Sequence, residues 1–88
     1  MNRFEAHDIA LARRVELVDR IQRFIDGVDT SIASAQLIEV GLDDAFPDNE
    51  RIGEAVLMLA SYRPGGGEML YAEPEMRAEL VKVLARLR

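Results

Sequence analysis

Four acids stand close together in the middle of this chain: Asp43, Asp44, Asp48 and Glu50. Carboxylates at short spacing invite a hard cation. A calcium loop of the EF-hand type needs oxygen ligands at alternate positions and a glycine at the sixth. Counting from Asp43 puts Ala45 and Pro47 at ligand positions and Asp48 at the glycine; counting from Asp44 puts Phe46 at a ligand and Asn49 at the glycine. No metal or other cofactor is therefore expected. General acid–base chemistry would need two of these carboxylates in a buried cleft, and 88 residues leave little room for one. His7, the only histidine, has Asp8 as its sole useful sequence neighbour and reads as a solvated surface residue. Pro64-Gly65-Gly66-Gly67 is not a phosphate loop, because Glu68 and Met69 follow where a lysine and a hydroxyl residue are required. No nucleophile–base pair is evident, and the chain is expected not to be an enzyme.

What the acids do carry is a field. Residues 41–75 hold eight of them against Arg51 and Arg63, a local charge of −6, whereas residues 76–88 carry +3 and the whole chain −5. A concentrated negative potential steers a basic partner and repels nucleic acid. An acidic pI of about 4.8 argues against nucleic acid and against an anionic membrane surface as ligands. Asp48, Glu50, Glu54, Glu68, Glu73 and Glu75 are the expected partner-facing acids. Tyr62 and Tyr71, which flank the glycine turn, are the expected aromatic anchors.

The elements that must position these residues read as helices. Over about Ala6 to Asp26, Leu11, Val15, Val18, Ile21 and Ile25 recur at spacings of three and four, with Leu17 and Phe24 widening the stripe. Glu16 with Arg20 and Asp19 with Arg23 form i,i+4 pairs in the favourable orientation, and Gly27 offers a C-terminal stop. A second helix is expected to start after Asp29 or Thr30 as N-cap and to run to about Val40, with Gly41 either ending it or interrupting it before Phe46. Asp48 or Asn49 caps a third, Glu50 to Tyr62, whose run Ala55 to Ala60 is apolar all round and reads as buried on most sides. Gly53 within it is expected to admit a close neighbour. The glycine turn is expected to be flexible, with Met69-Leu70-Tyr71 packing over the helix ends. Pro74 then opens a fourth helix with Met76, Leu80, Val83, Leu84 and Leu87 as its stripe.

Short connections between amphipathic helices predict an all-α fold, a small antiparallel four-helix bundle, over a single domain spanning residues 1–88. There is no cysteine, so disulfides and thiol chemistry are excluded. No apolar run approaches the length of a membrane span, and the charged N-terminus lacks a signal core. The expected location is cytoplasmic.

From the third helix onward the chain resembles the colicin D immunity protein family. The likeness is carried by Gly53-Glu54-Ala55-Val56-Leu57-Met58, by Tyr62-Arg63-Pro64, by Tyr71 followed by acids, and by Met76 to Leu87; Phe24-Ile25-Asp26-Gly27 with Thr30-Ser31 is also similar to the family's first helix turn. The resemblance implies a small, cytoplasmic, all-helical inhibitor of a tRNA-cleaving toxin. In that family an acidic surface meets the toxin's basic active site in place of tRNA phosphates, since carboxylates offer Arg and Lys the same charge-assisted hydrogen bonds. Glu54, Glu68, Glu73 and Glu75 would then be contacts and the partner a toxin nuclease domain. This sequence departs from the family pattern where acids are expected after the third helix: it has Ser61, Arg63 and three glycines, with Glu68 the charge nearby. The alternative expectation, from a different class, is a homo-oligomeric structural or regulatory adaptor, in the simplest case a homodimer.

Overall fold

The structure is a computed structural model that describes residues 3–87, with side chains from Leu11 onward. His7 lies outside the described side chains. Four helices follow one another: α1 (Arg3–Ile25), α2 (Ile32–Ala45), α3 (Glu50–Ala60) and α4 (Glu73–Leu87). Each packs on the next and α4 closes on α1, with no close backbone approach across either diagonal among the described residues. The expected all-α bundle is thus the fold. Neighbours run antiparallel: Leu17, midway along α1, meets Gly41 late in α2, and Gly27, just past α1, meets Arg77 early in α4.

Local chemistry explains the ends of these helices. At α1 the amide of Gly27 bonds the carbonyl of Phe24 at 3.1 Å and that of Val28 bonds Arg23 at 2.9 Å. Gly27 has φ 77°. This is a Schellman stop, and only glycine enters it without penalty. Asp29 does not cap α2, contrary to expectation. Its carboxylate accepts from the Ser31 amide and hydroxyl, and Ser31 takes the cap, its hydroxyl oxygen accepting from the Ser34 amide at 3.1 Å. The Ser31 hydroxyl, with its amide second, holds the Asp29 carboxyl below its ordinary value. Asn49 caps α3, accepting from the Ile52 amide at 3.0 Å. At α4 the Glu75 carboxylate reaches back to the Ala72 amide, half of a capping box; the helix begins at Glu73, with Pro74 second.

The core is one cluster that includes Ile21, Phe24, Ile38, Leu42, Ile52, Tyr62, Met76, Leu80 and Val83. Gly41 does not end α2. The helix runs through it, and Leu17 of α1 fills the space where a Cβ would stand, 2.8 Å from its Cδ1. Two stripes are narrower than their apolar sequences imply. Leu11 and Val15 are exposed, because the buried face of α1 runs through Leu17, Ile21 and Phe24 and at 3.6 residues per turn both point away from it; α1, 23 residues long, also makes the molecule 48 Å along its longest axis against 27 Å across. Leu57 is 71% exposed: α3 packs on α2 and α4 only, and turns Ile52, Ala55 and Leu59 inward. Of the two expected ion pairs on α1, Asp19–Arg23 forms at 3.0 Å, whereas Arg20 turns toward α2. A hydrogen-bonded Arg51–Glu79 pair, partly buried, ties α3 to α4. Arg77, paired with Glu73 at 2.7 Å, abuts Gly27 at the C-terminal end of α1, where a cation complements the helix dipole.

Candidate partner-binding surface

The acidic stretch folds into two groups separated by the length of α3. Asp43, Asp44, Asp48 and Glu50 surround the α2–α3 turn, all exposed. Glu54 follows Glu50 on the outer face of α3, with its carboxylate 3.6 Å from Arg51. Glu68, Tyr71, Glu73 and Glu75 gather at the other end, where α3 hands over to α4. An 11-residue helix rises about 16 Å, which sets the separation of the two groups.

The α3–α4 connection, residues 61–72, is a hydrogen-bonded clasp rather than a flexible turn. The amide of Tyr71 donates to Ser61 at 3.0 Å and that of Arg63 to Tyr71 at 2.9 Å, forming a single parallel bridge between Tyr62 and Tyr71. Two tight turns sit inside it. The first closes from Gly66 to Arg63 at 2.8 Å, with Pro64 in the position its ring favours. The second closes from Leu70 to Gly67 at 3.1 Å and places Met69 in the left-handed region, φ 63°. That conformation costs a side-chain-bearing residue about 1–2 kcal/mol. The side chain so held is 90% exposed. Beside it, Leu70 and Tyr71 are 38% and 39% exposed, so the Met69-Leu70-Tyr71 run is displayed rather than packed over the helix ends.

Tyr62 is not on this surface. The expectation that it contacts a partner is corrected by its burial: it is 0% exposed. Its ring meets Phe24 edge-on at 5.1 Å and 66°, and its hydroxyl donates to the Thr30 carbonyl at 2.6 Å. Burial, with the Glu73 charge second, pushes that hydroxyl above its ordinary value. Tyr62 is the post on which the clasp is mounted. Glu73 is half-committed, since Arg77 neutralises it, and Glu75 spends a carboxylate oxygen on the α4 cap. Glu68 and Tyr71 remain free at the rim beside Met69.

A second feature escaped the charge reading. Between the middle of α1 and the second half of α2 lies an open groove of about 470 Å³, lined by Arg13, Arg14 and Arg20 together with Leu37 and Val40. The signal was present as three arginines flanking Leu17, but a whole-chain charge of −5 hid it. Among the described residues no group of three or more His, Cys, Asp or Glu is placed to hold a metal ion, and no helix is long and apolar enough to cross a membrane. No family model matches this chain, and no curated protein or solved structure matches it.

Proposed function

We propose that this chain is a non-enzymatic binding protein that docks a basic surface of a partner protein on its α3–α4 clasp. In its sharper form the partner is the nuclease domain of a bacterial ribonuclease toxin, and the chain is its immunity-type inhibitor, acting in the cytoplasm. The observation that supports docking at the clasp is Met69: an apolar side chain held in a strained conformation and presented to solvent beside Glu68 and Tyr71. Strain of this kind persists where the surrounding structure over-determines it, and it concentrates at binding sites. An apolar anchor beside the free carboxylate of Glu68 fits a partner with an apolar pocket flanked by Arg or Lys. The sequence resemblance supports the sharper form.

The test is titration of the full chain with a purified basic ribonuclease domain encoded by a neighbouring gene, at low and high salt, reading binding and RNA cleavage together. Binding that weakens with salt and is lost in Met69→Gly is the expected result. Absent binding, or binding indifferent to salt and to Met69→Gly, overturns the reading.

A further inference from the structure

We propose that the arginine groove between α1 and α2 receives the outer ridge of α3 from a second copy of this chain, so that the protein associates head to tail. The groove and the ridge are distinct from the clasp, and the inference stands whether or not the clasp binds a toxin.

The groove gathers three of the described arginines of α1. Among the described residues Arg13, Arg14 and Arg20 form no ion pair; Arg14 rests its guanidinium 5.4 Å from the Phe46 ring. Leu37 and Val40 supply an apolar wall and are 52% and 65% exposed. Glu16 and Asp44 also border the groove, leaving it a net surplus of one positive charge. Its volume lies within the range of about 300–1,000 Å³ typical of occupied sites. It therefore asks for a narrow element that offers carboxylates along one edge and an apolar side chain along the other.

The outer ridge of α3 is such an element. Glu50, Glu54 and Leu57 follow at i, i+4 and i+7 on the face turned away from Ile52, Ala55 and Leu59. Like charges at i,i+4 oppose the helix, Leu57 is 71% exposed, and Gly53 between them weakens the helix. Arg51, 3.6 Å from Glu54, offsets part of the charge cost, but nothing inside the chain covers Leu57 or uses Gly53: a Cβ on Gly53 would meet no atom within 4 Å, so its missing side chain admits no neighbour from its own fold. It leaves a notch on the outer face where a second helix backbone fits. The lengths also agree. Arg13 to Arg20 and Glu50 to Leu57 each span eight residues of helix, a rise of about 10 Å.

Groove and ridge are different surfaces, so the contact is heterologous and repeats as a ring or an open chain. One helix face in one groove buries less than the ~1,200–2,000 Å² of a standard stable interface, so the association is weak and salt-sensitive.

The experiment is sedimentation of the full chain from about 1 μM to about 1 mM, with two variants and their mixture. Arg13→Glu/Arg20→Glu removes the groove, and Glu50→Arg/Glu54→Arg removes the ridge; circular dichroism checks their folding, and Leu57→Gln replaces the ridge variant if it is misfolded. Wild type is expected to grow beyond a dimer as concentration rises. Each variant alone is expected to associate at least about tenfold more weakly. Their equimolar mixture restores opposite charges at both contacts, wild-type groove with wild-type ridge and reversed groove with reversed ridge, and is expected to recover growth beyond a dimer. A monomeric wild type, a wild type that stops at a two-fold dimer, or variants that assemble as wild type does would overturn the proposal. So would a monomeric wild type whose groove binds an added acidic amphipathic peptide, which would assign the groove to another protein. Met69→Gly should assemble unchanged, which separates this result from any failure at the clasp.

Discussion

The α2–α3 and α3–α4 connections are both rich in carboxylates, yet their backbones do different work. Between α2 and α3 the chain turns in four residues, Asn49 caps the next helix, and the acids around it point into water. Between α3 and α4 the chain spends twelve residues on a bridge, two turns and a buried tyrosine, and holds a methionine outward in a strained conformation. Charge alone does not mark a binding surface. The first connection needs its polar residues to stop and start helices. The second carries a conformational cost at Met69.

The largest contrast between the two should come from the post beneath the clasp. Tyr62→Ala is expected to destabilise by about 3–5 kcal/mol, a fall in Tm of more than about 12 °C for a chain of this size, measured by thermal denaturation. Tyr62 also makes a pH prediction. Its hydroxyl is held above the ordinary tyrosine value of 10.0 by burial. A raised folded-state value contributes stability that is full below the unfolded value and lost as pH rises through the folded one. Wild type should therefore lose more stability than Tyr62→Phe between neutral and strongly alkaline pH. Equal losses would remove Tyr62 from that account.

Single substitutions of about 1 kcal/mol sharpen the comparison. Asn49→Ala at the first connection should destabilise by about 1 kcal/mol through loss of a cap. Met69→Gly at the second should stabilise by about 1 kcal/mol by releasing the left-handed strain, while weakening partner binding. On the helix between them, Gly53→Ala should also stabilise by about 1 kcal/mol, because the added Cβ meets open space. The smallest effects separate function from fold: Asp48→Asn and Glu68→Gln should each move stability by less than about 0.5 kcal/mol, but only Glu68→Gln should weaken binding to a basic partner.

Much of this fold was legible in the chain. Gly27, Asn49 and the Met76–Leu80–Val83 stripe announced their roles through local rules that act within one or two turns. Tyr62 did not, because whether an aromatic beside a turn is post or anchor depends on Phe24 and Thr30, more than thirty residues away. Leu11, Val15 and Leu57 were read as core for a similar reason. A periodic stripe records where apolar residues recur, but the packing of the neighbouring helices decides which part of it is buried. The proposed docking surface was partly legible: the sequence offers Glu68 and Tyr71 as candidates, whereas Met69 as its tip depends on a φ value that no residue type there signals. The arginine groove joins residues from two helices whose register is set by Leu17 fitting against Gly41.

The hydroxyl that joins Tyr62 to the carbonyl of Thr30 has a dynamic consequence. Thr30 immediately precedes the serine that starts α2, so the clasp and the first turn of α2 share one fastening. A ligand that levers the clasp away would loosen both at once. Amide hydrogen exchange at Ser34 and Ala35 would then quicken in step with that at Arg63 and Tyr71, although nearly thirty residues of chain lie between them.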